Sequence, residues 1–154
     1  MLYDTGLSYR RTAIEGASPI GLVIALYDTL WGNLRRAAEA LRAHDIEVRC
    51  NELNHAMLVL GQLESWVAPE NGGELAASLN QFYRYLRAKT MEASATRSAK
   101  TLEDLMDLVL HVRSAWQQKD MAGDQGIEQG PVIRPIETEP AALDAQRIAL
   151  SFSA

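Results

Sequence analysis

Apolar residues recur every three or four positions through most of residues 19–119, and that spacing predicts helices rather than strands. Val23, Leu26, Leu30, Leu34, Ala37 and Leu41 form the first stripe, which predicts a helix over about 19–43. It opens at Ser18-Pro19, where a serine can cap the first turn and proline loses nothing by lacking an N–H. A second stripe, Ile46, Cys50, Leu53, Met57, Leu60, Leu63 and Val67, begins after a capping Asp45 and stops at Ala68-Pro69. Pro69-Glu70-Asn71-Gly72-Gly73 has the composition of a turn. A third helix carries Leu75, Leu79, Phe82 and Leu86; the pattern then lapses from Ser94 to Lys100. Thr101 with Asp104 resembles a capping box that opens a fourth helix, with Leu102, Leu105, Val109, Val112 and Trp116 on its buried face.

Four amphipathic helices joined by short connections, with no alternating strand pattern, specify an all-α antiparallel four-helix bundle. The bundle occupies residues 18–119. Residues 1–17 form an N-terminal arm, and residues 120–154 read as a flexible acidic tail rich in Pro and Gly, with a short helix over 140–150. Proline marks the division, since Pro131, Pro135 and Pro140 all lie in the tail and only Pro69 interrupts the span from Pro19 to Lys119.

A bundle helix needs one apolar stripe, yet the second helix contains Met57-Leu58-Val59-Leu60 and Trp66, and the fourth contains Leu105-Met106 and Leu108-Val109-Leu110. At about 100° per residue, four consecutive side chains cannot share one face. Leu58 or Val59, and Met106 or Leu110, are therefore expected to point away from the central seam. Two arrangements satisfy this. Neighbouring helices bury the surplus from two sides, or it forms a groove for an amphipathic partner helix, to which flexible methionines adapt well.

The bulk numbers narrow the classes further. A length of 154 residues fits one domain with its own core, and no stretch approaches a membrane span or the apolar core of a signal peptide, so a cytoplasmic protein is expected. The single Cys50 forms no internal disulfide and reads as a small core residue. Of the net charge of −5, most sits in the tail: residues 120–154 hold six acids and two bases, residues 1–119 fourteen acids and thirteen bases. With Lys and Arg nowhere in a long run, nucleic-acid binding lacks its usual electrostatic source.

Chemistry is sparse. Glu52-Leu53-Asn54-His55 has the E-x-x-H spacing of carboxylate-bridged di-iron bundles, but such a site needs a second E-x-x-H, and His44 and His111 have Leu41 and Leu108 at the matching position. Asp104, Asp107 and His111 lie at i, i+3 and i+7 and read as a solvated face. No phosphate loop, H-E-x-x-H, C-x-x-C or G-x-S-x-G occurs. A binding protein is expected rather than an enzyme, with no cofactor and no metal. A metalloenzyme with a di-iron site at Glu52 and His55, and a structural adaptor whose extra apolar residues pair two copies in a homodimer, are the alternatives.

Tyr9, Ala17-Ser18-Pro19, Leu26-Tyr27-Asp28, Ala37-Ala38, Leu63, Leu79, Tyr83-Arg84-Tyr85, Ala93 and Arg113 to Trp116 together form an ordered combination. In order and spacing it resembles the FliS family of flagellar export chaperones over about Tyr9 to Gln118. The resemblance implies a four-helix bundle that holds the C-terminal segment of flagellin around its surface, prevents premature polymerisation and delivers flagellin to the export gate. It also implies an N-terminal segment that covers the site when empty, a role that falls by position to Leu7, Tyr9 and Ile14. The surplus residues Met57, Leu58, Val59, Trp66, Met106 and Leu110 would then be docking surface. One departure is His55-Ala56, where the family commonly has a lysine-alanine pair.

Overall fold

The computed structural model describes residues 19–67 and 73–122. Four helices account for nearly all of them: α1 (Pro19–Arg42), α2 (Ile46–Trp66), α3 (Gly73–Thr96) and α4 (Ala99–Ala122). They form a ring in which α1 packs against α2 and α4, and α3 against the same two, while neither diagonal pair approaches closely. The bundle is antiparallel, as the cross-helix ion pairs show: Asp28 near the start of α1 meets Arg113 late in α4, and Arg42 at the end of α1 meets Glu103 early in α4. α4 continues to Ala122, three residues past the boundary that proline and composition suggest.

α1 is the most deeply packed element. Besides the expected Leu30, Leu34 and Ala37, it buries Tyr27, Asn33, Ala38 and Ala40. Its buried arc is wider than one stripe because two neighbours press on it, and alanines let both backbones come close. In α2 the buried residues are Leu53, Ala56, Leu60 and Leu63. Cys50, expected in the core, is exposed. It lies about 100° around the helix from the centre of the buried arc, so the three-and-four rhythm passes through it while the packing does not. Ile46, at the first turn of α2, is likewise solvent-facing.

Two short joints of the same construction reverse the chain. After α1, His44 adopts the left-handed conformation at φ 58°, its N–H donates to the carbonyl of Leu41 (3.2 Å), and the Asp45 N–H donates to that of Ala40 (2.8 Å). This is a Schellman ending. Asp45 then caps α2, its carboxylate accepting from the Val48 N–H at 3.1 Å. After α3 the pattern repeats: Arg97 has φ 55°, and the Ser98 N–H donates to the Ala93 carbonyl at 3.1 Å. The Ser98 hydroxyl accepts from the Thr101 N–H at 3.2 Å. The cap of α4 is therefore Ser98, three residues before the expected Thr101, because the left-handed Arg97 lets α3 run on to Thr96.

At the centre, the Tyr27 and Tyr83 hydroxyls share a buried hydrogen bond of 2.9 Å across the α1–α3 diagonal, their ring centroids 6.3 Å apart. Burial pushes both phenols above their ordinary pKa. The folded chain thus holds protons that the unfolded chain releases. Stability from this source is constant below pH about 10 and falls as the pH rises beyond it.

Two outcomes follow for urea melts. Tyr27→Phe strands the Tyr83 hydroxyl and costs about 1–2 kcal/mol, and Tyr27→Phe/Tyr83→Phe costs less than the sum of the two single changes and flattens the alkaline loss of stability. Arg97→Gly relieves a left-handed side-chain residue and raises stability by about 0.5–1 kcal/mol; a fall would show that the Arg97 side chain outweighs its backbone strain.

Candidate functional site

α2 and α4 hold the apolar surplus, and the structure decides which members face outward. On α2, Leu58 is 72% exposed and Trp66 44%, while Met57 and Val59 lie half-buried against the core. On α4, Leu110 is 41% exposed and Met106 packs partly buried against the core. Leu58 and Leu110 are thus the side chains that turn away from the seam. Leu7, Tyr9 and Ile14 lie outside the described residues, as do residues 123–154.

These residues do not share one groove. α2 and α4 are diagonal in the ring, so Leu58 and Leu110 belong to different faces of the molecule. On the α4 face, Glu103, Met106, Leu110 and Arg113 recur at i, i+3, i+7 and i+10 and share one edge of the helix. The ion pairs Arg42–Glu103 and Asp28–Arg113 bracket that edge, the second made by two bonds, of which Arg113 Nη2 to Asp28 Oδ2 is 3.3 Å. Between the two pairs on α1 stand Trp31 and Arg35, the Arg35 guanidinium 5.6 Å from the Trp31 ring centroid. Trp31 was not among the expected site residues. Its signal is its spacing with Asp28 and Arg35, off the main buried stripe of α1.

Around α2 the charges are tied down at the edges. Arg87 on α3 bonds Glu64 with Nη2 at 3.0 Å from Oε2, and its Nη1 lies 3.8 Å from the Met57 sulfur. On the α1 side, Arg36 joins two acceptors: its Nε is 3.0 Å from Glu52 Oε1 and its Nη2 donates to Asn33 Oδ1 at 3.0 Å. Asn33 is almost fully buried, and its Nδ2 and the Glu52 Oε2 have no bonding partner among the described residues.

Glu52 is thereby a partner of α1 rather than an inward ligand, and His55, one turn along, is exposed. The interior at that level is filled by Leu53 and Ala56. The E-x-x-H spacing places both side chains outside the seam, where they do not converge as bundle ligands. Asp104 and Asp107 are exposed, as a solvated face requires, and only His111 is drawn partly inward. Asp104 pairs with Lys100 at 3.1 Å, and His111 is partly buried, which lowers its pKa. No helix among the described residues is long and apolar enough to cross a membrane.

The exposure pattern has a direct test. Leu58→Ala leaves stability within about 0.5 kcal/mol in chemical denaturation, whereas Leu60→Ala, two residues away and fully buried, costs about 2–5 kcal/mol. Equal losses would mean that Leu58 is packed.

A family model described as flagellar protein FliS matches residues 3–123. The flagellar secretion chaperone FliS of Salmonella typhimurium is 28% identical over 108 residues, covering 70% of this chain and 80% of that protein. FliSB of Pseudomonas aeruginosa, also a flagellar secretion chaperone, is 29% identical over 112 residues, covering 70% and 89%. The Bacillus subtilis flagellar secretion chaperone FliS is 26% identical over 126 residues, covering 78% and 93%. The matched span takes in all four helices and the buried tyrosine pair, and the chain belongs to the FliS family of flagellar proteins.

Proposed function

We propose that the chain is a cytoplasmic secretion chaperone that binds the C-terminal segment of flagellin, prevents its premature polymerisation and delivers it to the flagellar export gate. The observation that carries this reading is the outward display of large apolar side chains on two opposite faces, with Leu58 and Trp66 on α2 and Leu110 on α4. Exposed apolar surface of this kind favours a partner that removes it from water. The relatives' shared name, flagellar secretion chaperone, supports the client.

Two separated faces favour a client that wraps rather than one that fills a single groove. An unfolded or partly helical segment can lay one stretch on Met57, Leu58, Val59 and Trp66 and another beside Met106 and Leu110. Leu7, Tyr9 and Ile14 of the arm complete the surface in this reading. Binding makes and breaks no covalent bond, so the protein acts without a cofactor and is not an enzyme.

Co-expression with the flagellin of the same genome tests the reading. A stable complex forms, and removing flagellin's C-terminal segment abolishes it; a complex that survives the removal would contradict the proposal. With isolated C-terminal peptide, Leu58→Asp and Leu110→Asp each weaken binding about tenfold or more by calorimetry, because each puts an uncompensated charge against apolar client surface. If only one weakens it, the client occupies one face and does not wrap.

A further inference from the structure

On the edge between α1 and α4, the ion pairs Asp28–Arg113 and Arg42–Glu103 bracket a stretch of α4 about 15 Å long. Within it Leu110 is 41% exposed, and Met106 and Trp31 are half-buried against the core. Bulk is unevenly spread along this stretch. Trp31 stands one turn from Asp28 on α1, and Arg35 turns back over its ring at 5.6 Å from the centroid. Toward Arg42 the same side of α1 offers only the small Ala38.

Beyond α4 the sequence holds one stretch with a matching pattern. Ala141, Ala145, Ile148 and Phe152 recur at i, i+4, i+7 and i+11, which on a helix confines them to an arc of about 60° and spreads them over about 16 Å. The two small side chains come first and the two large ones last. Residues 141–152 carry one acid, Asp144, and one base, Arg147, both off that stripe, and Leu143 and Leu150 fall on the opposite side beside Arg147. The stretch lies beyond the family match, which ends at residue 123. Residues 123–140 reach up to about 60 Å when extended, ample for a return along α4, where Leu110 lies only about 18 Å before Ala122.

We infer that residues 141–152 form a helix that docks on the α1–α4 edge of their own bundle, antiparallel to α4 and over Met106 and Leu110, and so hold that edge in place of the client. Bulk and charge set the direction. Antiparallel to α4, Ala141 and Ala145 pass the end crowded by Trp31, and Ile148 and Phe152 reach the end where α1 offers Ala38. The same direction brings Asp144 to the Arg113 end, opposite in charge. The match in length, about 16 Å of stripe over about 15 Å of edge, holds for either direction. The contact is far smaller than the roughly 800 Å² per partner of stable interfaces, but residues 123–140 make it intramolecular. Such a tether supplies an effective concentration on the order of 1 mM, enough for a weak contact to occupy the edge about half of the time or more. Client reaches α4 only while the segment is away, and its apparent affinity falls by that fraction. This competition rests on the proposed function; the docking does not.

Two tryptophans report on the docking without client, Trp31 on the α1–α4 edge and Trp66 on the opposite face. In N–H correlation spectra of the full chain, Ile148→Asp/Phe152→Asp shifts the Trp31 indole and Leu110 amide resonances and leaves the Trp66 indole in place. The shift is the same at about 50 μM and about 500 μM, as an intramolecular contact requires. Unmoved Trp31 and Leu110 resonances, a shift at Trp66 instead, or a Trp31 shift that depends on concentration overturns the proposal, the last because it puts a second copy on the edge. In a titration with flagellin C-terminal peptide, the same variant binds about two- to fivefold more tightly than the parent chain. A Trp31 shift with unchanged peptide affinity upholds the docking and rejects the α4 edge as client surface, so the two readings fail separately.

Discussion

One hydrogen bond in the middle of the bundle carries more of the architecture than its own energy suggests. Tyr27 on α1 and Tyr83 on α3 meet hydroxyl to hydroxyl at 2.9 Å, across a diagonal that no backbone contact spans. Each phenol buries a large apolar ring and brings a polar tip that must be satisfied in the interior. Each ring supplies the partner the other needs. The pair therefore fixes how deep α3 sits relative to α1 and holds the two diagonal helices in one register, with the Phe82 ring tilted 45° to Tyr83 at 6.0 Å between ring centroids.

The rest of the ring is organised around that constraint. α1 can touch two neighbours closely because Ala37, Ala38 and Ala40 present almost nothing to either side. Charged residues work at the helix edges: Arg36 with Glu52 on α2, Asp28 and Arg42 with Arg113 and Glu103 on α4, Arg87 with Glu64 between α2 and α3. Half-exposed pairs of this kind add little stability, about 0–1 kcal/mol each, but they set which edges meet and leave the space between them for apolar side chains. The binding faces are the remainder once packing and pairing have claimed their residues.

Much of this was legible in the residues themselves. Pro19 at the start of α1 and Asp45 at the start of α2 are local signals, because a cap depends on backbone groups within a few residues of it. The stripes of α3 and α4 named their buried faces correctly. Where the reading failed, the cause was a neighbour. Cys50 keeps the rhythm of α2 but lies off the packed arc, and Ser98 replaces Thr101 as the cap because Arg97 takes up a left-handed backbone that few residues other than glycine adopt. The E-x-x-H spacing put Glu52 and His55 near each other on α2 without saying which way that edge would turn.

The apolar surplus shows the same division. Periodicity alone establishes that Met57 to Leu60 and Leu108 to Leu110 cannot all be buried in one seam, since about 100° per residue is a property of the helix itself. Which of them is left outside is decided by where the neighbouring helices lie, and that is set by contacts between residues distant in sequence. The sequence by itself determined four helices, their main buried stripes and their family. Only the tertiary structure decided that Leu58 and Leu110 face outward on opposite sides of the bundle, because α2 and α4 are diagonal and no local pattern encodes the order of helices around a ring.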